Sequence, residues 1–385
     1  MSFIETEEQQ ELRKAVSELG HKYGWKYLLE KAKNGEKTTE LWEEAGKLGF
    51  LGVNLPEEYG GGGAGMYELS LVLEELSAAG AGLLMMVVSP AICGTIISRY
   101  GTDEQKQTWL PGIADGSITM AFGITEPDAG SNSHNIITTA RRDGDEWILN
   151  GRKTYISGVD QAQAVLIVSR MEDSKTGKLK PALFIVPTDA PNFEYQVIEM
   201  GMRSPEKQFS LFIDDVRLPA DALVGSEDAA LMQLFAGLNP ERIMASAMAL
   251  GTARYALDKA TAYAKERQVF KAPIGAHQAI AHPLAQCYVE IELARLAMQK
   301  AAFLYDNGDD WGAASAANMA KYAAGEAGVK TVDQAVHTHG GNGLAVEYGL
   351  VDLLAASRLM RIAPVSREMI LNFIAQANLG LPKSY

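Results

Sequence analysis

Two cysteines, Cys93 and Cys287, are all that this 385-residue chain contains. So few exclude a disulfide framework and any thiolate-held metal cluster, and they suit a reducing compartment. Long apolar runs are missing too, so no membrane span is expected. The N-terminal stretch MSFIETEEQQELRK is acidic and polar. It has neither the apolar run of a signal peptide nor the Arg-rich pattern of a transit peptide, and a cytoplasmic location is the expectation. Basic charge is in deficit: 35 Lys and Arg stand against 48 Asp and Glu, a formal net charge of −13. That surplus repels phosphate backbones and argues against nucleic-acid binding. The chain also lacks a P-loop, a GxSxG, an HExxH and a Rossmann GxGxxG after a strand. Its six histidines, His21, His134, His277, His282, His337 and His339, show no metal-ligand spacing within a helix, and no metal site is expected.

What is present points to a large core, since 47% of the residues are apolar, and to two or three domains. Residues 1–118 read as helical: Leu69, Val72, Leu73 and Leu76 repeat at helical spacing, with Glu74 and Glu75 on the other face. The glycine run 60–63 reads as a turn before that helix. Residues 119–225 read as a small antiparallel β domain. WILNGRKTYIS predicts a hairpin about Asn150-Gly151, and AVLIVSRM, ALFIVP, FEYQVI and FSLFIDDVRLP supply further strands. Residues 226–385 return to helix. Leu284, Tyr288, Ile291, Arg295, Met298, Ala302 and Tyr305 mark one face of a long helix. Ala-rich stretches at 245–264 and 313–327 suit closely packed bundle helices and a subunit interface. A β domain between helical domains leaves a crevice of the kind that holds ligands.

Four segments carry polar groups that could fill such a crevice. FGITEPDAGS (122–131) offers Thr125, Gly130 and Ser131 as donors to an electron-rich ring or phosphate, or is a plain Pro/Gly loop. Asn239-Pro240-Glu241-Arg242 predicts a helix start with Glu241 in the first turn, complementing the helix dipole; the alternative is a general base beside an anion-binding arginine. RQVFKAPIGAHQ (267–278) brackets a Pro/Gly loop with Arg267, Phe270 and Gln278. HTHGGNG (337–343) is either a loop between helices or a backbone that can approach phosphate closely.

Taken in order and with their separations, these segments resemble the FAD-dependent acyl-CoA dehydrogenase family across nearly the whole chain. ITEPDAGSN resembles the family's TEPxAGSD loop and NGRKTYIS its NGxKxWIT strand. MGMRSPEKQFSLFIDDVRLPADALVG is similar to the segment leaving its β domain. RQVFKAPIGAHQ resembles RxxFGxxixxxQ, and HTHGGNG resembles QxxGGxG. The resemblance implies a mostly α fold with an inserted β domain. An N-terminal helical domain, a middle antiparallel β-barrel-like domain and a C-terminal four-helix bundle would assemble as a homotetramer.

It further implies that FAD lies between the β domain and the bundle. Phe122, Ile124, Thr125, Gly130, Ser131, Tyr155, Ile156 and Ser157 would contact the flavin, with Ser366 and Glu368 meeting it from the C-terminal side. Arg267, Phe270, Gln278, His337, Gly340 and Gly341 would reach the adenine and pyrophosphate of a neighbouring subunit's FAD. Tyr155 stands where the family usually has Trp, Ser157 where it has Thr, Lys271 for Gly and His337 for Gln.

Many members carry the catalytic glutamate in a C-terminal YEGT loop, where this chain has Pro364. Others, such as isovaleryl-CoA and long-chain acyl-CoA dehydrogenases, carry it on a bundle helix within xxER. Glu241 matches that position, with Asn239, Arg242 and Ser131 as implied substrate contacts. The implied reaction is α,β-dehydrogenation of an acyl-CoA to the trans-2-enoyl-CoA, in fatty acid or lipid catabolism, with electrons passing to an electron-transfer flavoprotein. Two alternatives stay open: an acyl-CoA oxidase, although those chains are usually much longer, and a non-catalytic subunit of a mixed oligomer. Fatty, steroid side-chain and terpenoid acyl groups are all compatible.

Overall fold

The computed structural model describes residues 5–173, 176–227 and 230–383. Helix α1 (Glu7–Asn34) opens on Thr6, whose hydroxyl accepts from the Gln9 N–H while the Gln9 side chain accepts from the Thr6 N–H. This reciprocal cap fixes the start of the helix. There follow α2 (Thr39–Lys47), α3 (Met66–Ala78), α4 (Leu84–Met86), α5 (Thr95–Tyr100) and α6 (Asp103–Asp115). Between α4 and α5 the chain is wound as a π-helix, Val87–Gly94, with Pro90 inside it. Such wide turns gather at functional sites.

Leu69, Val72, Leu73 and Leu76 of α3 are buried as their spacing predicts, but Glu74 and Glu75 are buried with them. Helix α3 has α1 on one side and the bundle on the other, so no face is left for water. Arg13, Arg254 and Arg295 converge on the two carboxylates from three different helices.

The middle region forms one seven-stranded sheet. Its strands are β1 (Met120–Gly123), β2 (Thr139–Asp143), β3 (Glu146–Ser157), β4 (Ala164–Glu172), β5 (Leu179–Pro187), β6 (Phe193–Ile198) and β7 (Gln208–Pro219). It is mixed: β1 and β2 both run parallel to β4, and the remaining ladders are antiparallel. The hairpin expected at Asn150-Gly151 is not there, because β3 runs straight through both residues. The tight turn lies earlier, between β2 and β3, where Gly144 takes a φ of +63°. The ladder to β7 skips register at Asn150, whose side chain pairs with Asp215 through two hydrogen bonds of 2.8 and 2.9 Å. Gly151 is needed for close approach rather than for turning, since a Cβ there would sit 2.3 Å from Thr138 Oγ1.

The C-terminal region holds α7 (Ala230–Glu266), a small ribbon of β8 (Gln268–Val269) and β9 (Ala272–Pro273), α8 (Gln278–Asp306), α9 (Asp310–His339), α10 (Leu353–Ile362) and α11 (Arg367–Phe373). The helix start expected at Asn239 is overturned: α7 begins nine residues earlier and passes through Pro240. Packing outweighs the local cost of proline. Gly237, one turn ahead of it, is seated so tightly that a Cβ would meet Ile96 at 2.7 Å. The expected 337–343 loop is also shorter, since α9 continues to His339. Tyr288, read as core-facing, is exposed on α8 beside Val289, Leu293 and Leu296. One hydrophobic core runs through the helices into β1, β4 and β5, and a second fills the inside of the curled sheet. Among the described residues no helix is long and apolar enough to cross a membrane.

Candidate active site

Glu241 lies well inside α7, near the π-wound Val87–Gly94, where Cys93 is close enough to feel its charge. Its carboxyl is half-buried and has no hydrogen-bond partner among the described residues. Burial pushes its pKa up to about 7, against the opposing pull of Arg242 and Lys321. A desolvated carboxyl of this kind can accept a proton near neutral pH. Both neighbouring cations are bound elsewhere. Arg242 donates through Nη1 to the carbonyl of Leu238, at 2.8 Å, and its Nε finds no partner among the described residues. Lys321 Nζ donates to the carbonyls of Met360 and Val365 at 2.7 and 2.9 Å. Asn239 is buried and donates to the carbonyl of Asp310 at 3.1 Å, which ties α7 to the start of α9.

The Lys321 ammonium therefore pins the chain on both sides of Pro364 beside Glu241. The sequence reading missed this residue, because one lysine in an Ala-rich run looks solvated. Here it is buried, and burial pulls its pKa down to about 8, with Arg242 acting in the same direction. Ser366 caps α11 by accepting from the Met369 N–H, and Glu368 is exposed in its first turn.

The loop 122–131 and strand β3 are joined by a buried ion pair that was also missed. Lys153 Nζ lies 2.8 Å from Glu126 Oε1 and also donates to the carbonyl of Ile124. Glu126 accepts from the N–H groups of Ile137 and Thr138 and from the Thr138 hydroxyl. Burial works against its charge, but these donors and Lys153 hold its pKa below the usual carboxylate range. Thr154 N–H donates to the Thr125 carbonyl at 2.9 Å and completes the junction.

On that junction Phe122 is buried, Ile124 and Thr125 are half-buried, and Gly130 and Ser131 are exposed. A bulge between Lys153 and Ile156 gives Tyr155 a φ of +57° and leaves its ring 59% exposed. Bulges re-aim side chains in this way. Ile156 faces the inner core of the sheet, so only its backbone is available to a ligand. Ser157 is half-buried and hydrogen-bonded to Gln208.

Arg267, Phe270 and Gln278 gather with His337, Gly340 and Gly341 at the other end of α7. All six are exposed, Phe270 by 89% and at a φ of +52°. Tyr263 links the two segments: it stacks on His339 with ring centroids 4.3 Å apart and accepts from Asn342. The length of α7 separates this group from Glu241 by on the order of 40 Å. This group of expected cofactor residues thus lies at the far end of α7 from Glu241. Among the described residues no cluster of His, Cys, Asp or Glu is arranged to hold a metal ion.

Models of the acyl-CoA dehydrogenase N-terminal, middle and C-terminal domains match residues 6–117, 121–216 and 232–379. This chain belongs to the acyl-CoA dehydrogenase family. The acyl-CoA dehydrogenase FadE12 of Mycobacterium tuberculosis is 69% identical over 384 residues, covering 100% of this chain and 99% of its own. A glutaryl-coenzyme A dehydrogenase in complex with glutaryl-CoA superposes with a TM-score of 0.94 at 30% identity, covering 100% of this chain and 98% of its own. A Mycobacterium smegmatis glutaryl-CoA dehydrogenase in complex with FADH2 gives a TM-score of 0.89 at 28% identity, with 99% and 96% covered. The acyl-CoA dehydrogenase fold accounts for the helix, sheet and bundle order seen here. Within it, the Glu126–Lys153 pair gives a physical reason for the Glu of ITEPDAGSN and the Lys of NGRKTYIS.

Proposed function

We propose that this protein removes two hydrogens from the α and β carbons of an acyl-CoA thioester, with Glu241 as the base, FAD as cofactor and an electron-transfer flavoprotein as acceptor. The observation that carries this reading is the half-buried Glu241 carboxyl, unpartnered and raised to about 7. An α-C–H beside a thioester is a very weak acid, and a base poised near the operating pH suits it best.

The residues present fit FAD. Tyr155 is turned outward to face a ring, the exposed Gly130 and Ser131 leave room for one, and the Gly340-Gly341 backbone is open to a pyrophosphate. When bound, FAD supplies the acceptor for the β hydrogen. The Glu126–Lys153 junction holds the two flavin-facing segments in fixed relation. Arg242, with donors to spare, is suited to the substrate's anionic groups, and Ser131 and Asn239 are read as further substrate contacts. Negative charge on the thioester oxygen needs donors. Pro364 has no N–H to give. The next N–H belongs to Val365, whose carbonyl Lys321 anchors. The remote position of Arg267 and Phe270 supports their serving a second subunit's cofactor. The exposed apolar face of α8 suits a homotetramer, read here as cytoplasmic.

The test is anaerobic. Purified yellow protein is mixed with a panel of acyl-CoAs, and flavin bleaching is followed for the wild type and Glu241→Gln. Bleaching by some thioesters, lost in the variant, is the expected result. Bleaching that survives in the variant removes Glu241 as the base. Protein that stays colourless with added FAD supports the non-catalytic reading that Pro364 motivates.

A further inference from the structure

An apolar cavity of about 170 Å3 lies between α1, the α3–α4 connection, α7 and α10. Trp25, Leu84, Met248, Thr252, Leu353 and Met360 are among its walls. Met248, Thr252 and Tyr255 on its α7 wall lie on the same side of the helix as Glu241. Glu241, Ala245, Met248, Thr252 and Tyr255 follow one another at alternating steps of four and three, which is one stripe of an α-helix. The first four keep partial exposure, while Ile243, Met244, Ala247, Ala249 and Leu250 between them are buried. Leu84 and Val88, one turn apart near the opposite wall, are partly exposed in the same way. This partly exposed stripe runs from Glu241 to the cavity, reaching Met248 after about 10 Å and Tyr255 after about 21 Å along α7.

The deep end is not purely apolar. Ser77 and Tyr255 both line it, only 4% and 8% exposed. Neither Ser77 Oγ nor Tyr255 Oη has a hydrogen-bond partner among the described residues. Buried hydroxyls are rarely left so, because the missing bond is costly. Glu206 on the same wall is already engaged, accepting from Ser204 Oγ at 2.7 Å. Two unpartnered hydroxyls at the end of an apolar cavity are where a ligand oxygen would be received.

Resting on the dehydrogenase reading, we infer that the substrate's acyl group is long, mostly apolar, and carries a hydroxyl or keto oxygen at its far end, bound by Ser77 and Tyr255. An extended chain advances roughly 1.2 Å per bond, so about seventeen bonds separate the reacting carbon from that oxygen. A linear ω-oxygenated chain and a fused-ring acid both meet this description.

The test uses the holoprotein and anaerobic bleaching with butyryl-CoA, palmitoyl-CoA, ω-hydroxypalmitoyl-CoA and the CoA thioester of a keto-substituted fused-ring acid. One oxygenated thioester should exceed palmitoyl-CoA in kcat/KM by at least about tenfold. Palmitoyl-CoA should in turn exceed butyryl-CoA. The better oxygenated arm tells the linear source from the ring source. Tyr255→Phe should erase the advantage of the oxygen while keeping the palmitoyl-to-butyryl ratio. Met248→Trp should invert that ratio, with flavin content and circular dichroism checking the fold of each variant. Butyryl-CoA as best substrate, or an oxygen that confers nothing, overturns the inference and leaves the dehydrogenase reading intact. No bleaching with any thioester overturns both.

Discussion

Helix α7 serves two carboxylate clusters, and they are built in opposite ways. Around Glu74 and Glu75, arginines bond the carboxylates directly: Arg254 at 2.8 and 2.6 Å, Arg295 at 3.1 Å and Arg13 at 3.2 Å. Burial alone would raise the Glu74 pKa, yet Arg13, Arg295 and Arg254 hold it below the usual range. Glu241 also has two cations nearby, but Arg242 and Lys321 donate to backbone carbonyls instead. Its pKa therefore stands at about 7. A nearby cation is not enough to keep a buried carboxylate ionised; what matters is whose acceptor the cation bonds. The first cluster fastens helices together, and the second leaves a carboxyl able to take up a proton near neutral pH.

The contrast can be broken from either side. Glu241→Gln should lower the bleaching rate by roughly a thousandfold in protein with unchanged circular dichroism. Arg254→Met leaves Glu74 and Glu75 short of a partner. It should cost about 3 kcal/mol in urea unfolding, with bleaching moved less than twofold in the folded protein.

Stability against pH should slope in opposite directions at the two sites. Glu241 rises from 4.5 to about 7, so its contribution is full below the unfolded value and is lost as pH rises through about 7. Glu241→Gln should then gain on the wild type at alkaline pH by at most about 3 kcal/mol. Glu74 is held low, so its contribution is present above the ordinary carboxylate range and lost as pH falls through the depressed value. The smallest effect is expected at Lys321. Removing its charge in Lys321→Met should raise the Glu241 pKa, move the acid limb of the bleaching profile upward and slow the reaction at pH 7 by about tenfold. Lys321→Arg should restore most of that loss.

The order of helices, sheet and bundle was legible because each zone has its own periodicity. Glu241, the loop 122–131 and strand β3 were singled out through short motifs, and the Lys153–Glu126 pair brings the last two together in the structure. What was hidden depended on partners far away in the chain. Glu74 looked solvated because Arg254 and Arg295 lie 180 and 221 residues distant. Asn150-Gly151 has the right chemistry for a turn, but its register with Asp215 makes it a bulge. Pro240 reads as a helix start by local rules, and the seat of Gly237 against Ile96 overrides them. The unpartnered Ser77 and Tyr255 hydroxyls leave no mark in the sequence, because vacancy of a partner is a property of packing alone.

The π-wound Val87–Gly94 facing α7 has a consequence for how this wall can change. Its wide turn holds one residue more than an α-helical turn would. A one-residue deletion there, of Ala91 for instance, could be absorbed by closing the turn to ordinary α pitch. The helical segments on either side would then keep their phase, and only the wide turn itself would be reshaped. The shape of this wall is thus written in the number of residues as much as in their kinds, and a deletion scan can reach variants that no substitution scan contains.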